Sequence, residues 1–292
     1  MTLKEYLQSN YSLTSISGYY NMVQRYLLAL GKKADKAGYK DIVSYIGLLR
    51  VQGLHPKSLR NNLFAIKIYY SYLVETGKRN DHPCRYLNLK DMINRQIQVE
   101  SLYSKQTLEN LYTDWKSHTA HYQHRDKVIV SLLVYQALTA QEIVNLLIRD
   151  IDLDNAAIHI RATGKNKGRI LSLKPNQVLL FMHYLQDRQK IVQANTAGPI
   201  KPGNESFLLN KYNAPLWTGA INRIINQGRD SKDKLIPLKI RQSVIAHLLK
   251  EGNDIRIVQE FAGHRRTGST ENYKQSGLDE LKAVIDKLHP LQ

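Results

Sequence analysis

The chain has one cysteine, Cys84, among its 292 residues. A single thiol excludes an internal disulfide and any cysteine-based zinc cluster, and it points to a reducing, cytoplasmic compartment. Long apolar runs are missing as well. The chain opens on MTLKEYLQSNY, which has no apolar signal core, and no stretch approaches the roughly 20 apolar residues that cross a bilayer. Neither a targeting segment nor a membrane partner is expected. Acidic residues are scarce: 25 Asp and Glu stand against 42 Lys and Arg, a formal net charge of +17. That balance favours a polyanionic partner, because binding one releases its condensed counterions, and nucleic acid leads the candidates. The basic residues run through ordinary core patterns, which suits a folded, nucleoid-associated surface better than a disordered basic tail. His118, His121 and His124 are evenly spaced, but three-residue steps in a polar loop do not match a metal-ligand pattern. No metal or other cofactor is predicted.

Apolar residues make up 42% of the chain, enough for two ordinary domains with a core each. The pattern is helical up to about Gly77. Tyr19, Val23, Tyr26 and Leu30 share one face of a helix from about Thr14 that stops at Gly31, and a second helix is predicted from about Tyr39 to Val51. A third begins near Pro56, where proline fits the first helical position, and carries Leu59, Leu63, Ile66, Tyr70 and Leu73 on one stripe. Lys57, Arg60 and Lys67 lie about a quarter-turn from that stripe. They form either a solvated face or, in so basic a chain, a set of DNA contacts. The stretch from Lys78 to about Ser104 is polar, contains Pro83 and reads as a connection. The boundaries are placed at 1–95 for a helical domain, 96–104 for a linker and 105–292 for a second domain.

Ser104 is a plausible cap for a helix with Leu108, Leu111 and Trp115, and a strongly apolar helix follows from Val128 to Leu138. Between Ile151 and Leu173 the period changes: AIHIR and RILSL flank TGKNKG, a β-hairpin pattern with glycines at the turn. Helices are expected again from about Pro175 to Ala194, Trp217 to Gln227, Lys239 to Lys250, Asp254 to Ala262 and Leu278 to Leu288. The predicted fold is mainly α with a small antiparallel β-sheet.

An ordered set of residues crosses the second domain: Ala137-Leu138-Thr139-Ala140-Gln141-Glu142-Ile143, Lys165 in the hairpin turn, Arg241 near a helix start, Ala262-Gly263-His264, and Tyr273. Taken together it resembles the tyrosine recombinase family, which includes phage integrases and the bacterial Xer recombinases. The resemblance covers nearly the whole chain and is strongest in EGNDIRIVQEFAGHRRTGSTENYKQ, where His264 and Tyr273 keep the family's nine-residue spacing. It implies a Xer-like architecture, with a helical core-binding domain ahead of a catalytic domain, closing around double-stranded DNA. It also implies a site-specific recombinase or integrase, of a kind carried by transposons, that cleaves and rejoins DNA through a 3′-phosphotyrosyl link on Tyr273. Arg241 would grip the phosphate, Lys165 would protonate the leaving 5′-oxygen, and His264 would bond the phosphate or position the tyrosine. Lys167, beside Lys165, is a further DNA contact. The partners implied are a homo-tetramer on two DNA sites and, in some systems, accessory DNA-bending proteins. The terminal helix around Leu281, Val284, Ile285 and Leu288 would dock on a neighbouring subunit or on its own domain.

Two positions depart from the family. Its first arginine falls at Thr139, and the histidine three residues before its second arginine falls at Leu238; Gln242 stands where histidine is common after that arginine. Thr-Ala-Gln-Glu fits a capping box between Thr139 and Glu142, which explains the helix start but not the missing charge. Loss of a charged donor from a transition-state site costs about 10²-fold or more in rate. Arg161 and Arg169, on the two hairpin strands, are the candidate substitutes. The alternatives are a sequence-specific DNA binder that has lost catalysis, and a topoisomerase-like enzyme that relaxes DNA with the same tyrosine.

Overall fold

The computed structural model describes residues 1–92, 97, 101–164, 166–194 and 205–273, with residues 32 and 33 described as backbone alone. The helix expected from Leu278 to Leu288 and the side chain of Lys165 lie outside the described residues. The chain divides into two compact units, Met1–Arg95 and Gln96–Gln292. The fold is mostly helical with one small antiparallel sheet.

The first unit contains α1 (Leu3–Asn10), α2 (Leu13–Leu30), α3 (Tyr39–Val51) and α4 (Pro56–Glu75). A capping box between Thr2 and Glu5 starts α1, and Pro56 occupies the first turn of α4. The stripe read from the sequence is the packed face: Leu59, Leu63, Ile66, Tyr70 and Leu73 of α4 are buried against Val23 and Tyr26 of α2 and Ile42 and Ile46 of α3. Tyrosines fill much of this core, and the hydroxyls of Tyr6, Tyr26, Tyr69, Tyr70 and Tyr72 find partners. Tyr26 and Tyr70 bond each other at 2.6 Å, and Tyr70 donates to the Ala34 carbonyl at 2.8 Å.

Residues 78–92, which the sequence presents as a connection, pack back on this unit. Cys84 is buried in the core, and burial pushes its thiol up to about 11, leaving it unreactive. Basic side chains hold the segment by its backbone: Lys67 Nζ donates to the Arg85 carbonyl at 3.0 Å and Arg60 Nη2 to the Asp91 carbonyl at 2.6 Å. Arg50 adds a two-pronged contact to the Asp91 carboxylate, 2.9 Å on each arm. A polar composition hid this packing because the groups being satisfied are main-chain carbonyls. The proposed linker 96–104 is similarly engaged where described. Ile97 and Leu102 pack with the second unit's residues, and Tyr103 N donates to Ser243 Oγ at 2.9 Å.

The second unit is built on α6 (Gln123–Tyr135), whose Val128, Ile129, Leu132 and Leu133 are fully buried. Around it lie α5 (Lys105–Thr113), capped by Ser104, α8 (Pro175–Ala194), α9 (Thr218–Ile225) and α10 (Pro237–Lys250). The short α7 (Ala140–Val144) leads to a sheet of β1 (Ile151–Asp152), β2 (Ala157–Ile160) and β3 (Arg169–Ser172), antiparallel in that order. Ile158 pairs with Leu171 on the buried face and His159 with Ile170 on the exposed one. The chain continues through α11 (Ile255–Ala262) and α12 (Gly268–Glu271) to Tyr273. His124, one of the three evenly spaced histidines, is committed to Asp187 at 2.7 Å.

Candidate catalytic site

Period-2 alternation in the hairpin separates the two candidate arginines. In β3 the residues Arg169 and Leu171 point inward while Ile170 and Ser172 point outward, so Arg169 is carried to the buried face. In β2 the inward residues are Ile158 and Ile160, which leaves Arg161, one step later, on the exposed side. Arg161 bonds Asp150 Oδ2 at 3.2 Å and the Asn145 carbonyl, at the edge of a cleft of about 600 Å³ also lined by Leu147 and Trp217.

Arg169 enters a cluster around Glu142. The capping box expected at Thr139 is present: Glu142 N donates to Thr139 Oγ1 at 3.2 Å, and Thr139 N donates to Glu142 Oε2 at 2.8 Å. The other carboxylate oxygen accepts Arg169 Nη1 at 2.7 Å and Asn166 Nδ2 at 3.1 Å. Arg241 Nη1 stands 3.7 Å from Oε2. Burial raises the carboxyl's affinity for its proton, but the Arg169 ion pair, the Thr139 cap and Arg241 together hold its pKa below the ordinary range. Among the described residues, two guanidinium groups facing one carboxylate leave one positive charge uncompensated in this cluster.

Arg241 comes from the second turn of α10, which is started by Pro237. It is 3% exposed and its fork is set by two carbonyls: Nη1 donates to Ala137 at 2.6 Å and Nη2 to Ala262 at 2.5 Å. Ala137 has φ +50°, in the left-handed region that a side chain enters at a cost of about 1 kcal/mol or more. The strain turns its carbonyl toward Arg241.

The α11 helix ends at Gly263, φ +68°. Here glycine is required twice, for its conformation and for room: a Cβ would lie 2.5 Å from Arg169 Nη1 and 3.0 Å from the Lys167 carbonyl. The bend docks on the hairpin tip. Lys167 N donates to the Gly263 carbonyl at 2.8 Å, Asn166 forms a bridge with His264, and Arg265 Nη2 donates to the Thr163 carbonyl at 2.8 Å. The hairpin tip at Thr163, Asn166 and Lys167 is thereby tied to the segment that leads to Tyr273. The Lys167 side chain is exposed at this tip.

His264 Nδ1 lies 2.9 Å from Thr270 Oγ1, and its ring stacks on Tyr273 with centroids 6.0 Å apart and planes 20° from parallel. Burial, then the nearby Arg241 and Arg169 cations, push the imidazole down to about 4, so it is neutral at pH 7. Tyr273 is 7% exposed, packed with Ile245, Val258 and Ala262. Burial raises its phenol pKa, and Arg241 opposes the rise.

Tyr273, His264, Arg241 and Arg169 thus converge, and the hairpin turn lies beside them. Arg161 is engaged elsewhere. Leu238, at the position of the absent histidine, is 58% exposed. Sequence reasoning gave Glu142 only a capping role; its second role depends on the hairpin and α10 reaching it, which no local pattern reports. In the first unit Lys57 is exposed, while Arg60 and Lys67 each use a donor on residues 85–91.

Comparison with known proteins gives the family of the chain. Residues 100–278 match the sequence profile described as the Phage integrase family. The chain is 25% identical over 296 aligned residues to Tyrosine recombinase XerC of Listeria monocytogenes serotype 4b (strain F2365), covering 98% of this chain and 95% of that protein. Among solved structures, the XerH site-specific recombinase bound to palindromic difH substrate shares the fold with a TM-score of 0.71 at 18% identity, over 95% of this chain and 81% of that one. The Tn1549 transposon integrase in complex with a circular intermediate DNA gives 0.65 at 16% identity, over 99% of each chain. The profile match spans more than half of the sequence and takes in all four converging side chains, and the chain belongs to the phage integrase family of tyrosine recombinases.

Proposed function

We propose that this protein is a site-specific DNA recombinase in which Tyr273 attacks a backbone phosphodiester of double-stranded DNA. The observation that carries this reading is the convergence of Tyr273, His264 and Arg241 on one buried, net positive cluster. Phosphoryl transfer gains negative charge in its transition state, so fixed cations that need no reorganisation lower the barrier. Arg241, held by the Ala137 and Ala262 carbonyls, is preorganised for this task. In the step itself Tyr273 Oη gives its proton to solvent and bonds to phosphorus while the bond from phosphorus to the 5′-oxygen breaks. Lys165 gives that oxygen a proton. The phosphotyrosyl link conserves the phosphoester, so another 5′-hydroxyl can reverse the step without an energy source. Neutral His264, stacked on the phenol, positions it and bonds the phosphate.

The helical unit 1–95 is the DNA-gripping domain of this scheme, with Lys57, Arg60, Lys67 and, in the second unit, Lys167 as phosphate contacts. Recombination between two sites calls for four copies of the chain on two duplexes. The DNA complexes of the XerH and Tn1549 proteins support a duplex as the partner, as does the net charge of +17. The test is incubation with duplex fragments flanking the protein's own gene, followed by detection of DNA that stays attached after denaturation. Wild type should yield an adduct and Tyr273→Phe none. An adduct that persists in the mutant removes Tyr273 from the reaction. Tight binding with no adduct in wild type identifies a binder, the outcome that Thr139 would favour.

A further inference from the structure

We propose that Arg169 replaces the cation missing at Thr139, by placing its Nη2 against a nonbridging oxygen of the scissile phosphate. This rests on the recombinase reading and assigns a further catalytic residue to it.

A guanidinium has five N–H donors. On Arg169 the Nε hydrogen goes to the Phe261 carbonyl at 2.7 Å, and Nη1 serves Glu142 Oε1 at 2.7 Å and the Lys167 carbonyl at 3.5 Å. Nη2 is buried with no hydrogen-bond partner among the described residues. The side chain is 2% exposed, so bulk solvent does not reach the donor. An unsatisfied charged donor is costly, and one kept in a native site calls for an explanation, of which an acceptor that arrives with the substrate is one.

The surroundings identify that acceptor as an anion. Arg169 and Arg241 flank the same carboxylate, and both act on His264, whose ring lies against Tyr273. The orphan donor therefore belongs to the cluster that borders His264, whose ring stacks on the nucleophile. Three features fix the guanidinium there: the inward phase of β3, the Glu142 ion pair, and a glycine at 263 whose Cβ would collide with Nη1. Arg161 has none of them. Its partners are Asp150 and Asn145, and half of its side chain is exposed.

The experiment compares two suicide duplexes cut at the position mapped from the wild-type adduct. One carries the ordinary phosphodiester at that position and the other a methylphosphonate, in which a neutral methyl replaces a charged nonbridging oxygen. Arg169→Met should slow adduct formation on the phosphodiester about 100-fold or more, and the methylphosphonate should restore most of that loss. Arg169→Lys should fall between. A residue that merely holds the fold would lose equally on both substrates, and equal loss overturns the assignment. Selective rescue of Arg161→Met instead would transfer the role to Arg161 and overturn it too. Should Arg169→Met not fold, the paired variant Glu142→Gln/Arg169→Met, which removes both members of the ion pair, takes its place with the same two outcomes. Absence of any wild-type adduct would overturn the recombinase reading itself, whereas a wild-type adduct with unselective loss would overturn Arg169 alone.

Discussion

Glu142→Gln tests whether one carboxylate organises the site. The substitution keeps the shape and removes the charge. In the folded protein Glu142 is 3% exposed and accepts from Arg169 at 2.7 Å, Thr139 N at 2.8 Å and Asn166 at 3.1 Å, with Arg241 at 3.7 Å. Glutamine offers one acceptor oxygen, so its amide must turn a donor toward either the arginine or the cap. Two buried guanidinium groups then face each other without a counter-charge. Removing one partner of a buried ion pair costs about 3–5 kcal/mol. In a unit of roughly 200 residues each kcal/mol moves the melting midpoint by about 2–4 °C, which gives a fall of about 6–20 °C. Thermal unfolding followed by circular dichroism at pH 7 measures it, with Gln141→Glu, one position away and exposed, as the comparison. Adding Arg169→Met to Glu142→Gln should recover part of the loss, because the stranded charge goes with it. A midpoint within about 2 °C of wild type for Glu142→Gln would refute the reasoning, and so would strict additivity of the two changes.

Three further outcomes follow from the same contacts. His264 is neutral in both folded and unfolded chains at pH 7 and contributes nothing there. As pH falls from 6.5 toward about 4 the unfolded chain takes up a proton that the folded site refuses, so stability drops by at most about 3 kcal/mol from this residue. Urea midpoints should therefore fall less steeply over that window in His264→Gln than in wild type; parallel curves would contradict the assignment. Gly263→Ala puts a Cβ 2.5 Å from Arg169 Nη1 at a residue with φ +68°. It should cost about 2–3 kcal/mol in the same urea measurement and depress adduct formation, and a loss under about 0.5 kcal/mol would show that the bend is not constrained. Lys57→Ala should leave the melting midpoint unchanged and reduce the slope of log affinity against log salt by about 1. Arg60→Ala, which removes a 2.6 Å bond to the Asp91 carbonyl, should lower the midpoint as well. Equal midpoints for these two variants would remove the structural role given to Arg60.

Much of the fold was legible because its signals are local. Pro56, Gly31, Ser104 and Asp254 mark helix ends, and a period of 3.6 along α4 named its buried face before any contact was known. The capping box at Thr139 was equally readable. What was not legible depends on residues distant in the chain. Residues 78–92 look like a connection until Lys67 and Arg60 are seen holding their carbonyls. Glu142 looks like a cap until Arg169 and Arg241 arrive from 27 and 99 positions away, the differences between 169 or 241 and 142. One distinction was available and not drawn: strict alternation along RILSL and AIHIR already places Arg169 inward with Leu171 and Arg161 outward.

The shared carboxylate also bears on how this sequence can change. Thr139 and Glu142 start α7 together, and the same Glu142 balances Arg169 and Arg241. Restoring an arginine at position 139 would remove the cap that begins the helix and bring a third guanidinium to a single counter-ion. An arginine at position 139 is therefore not a conservative change in this chain. Such a variant would combine a weaker helix start with a more crowded positive charge around Glu142. Relatives that carry threonine at this position should accordingly retain a basic residue on the inward face of β3, and the two positions should vary as a pair.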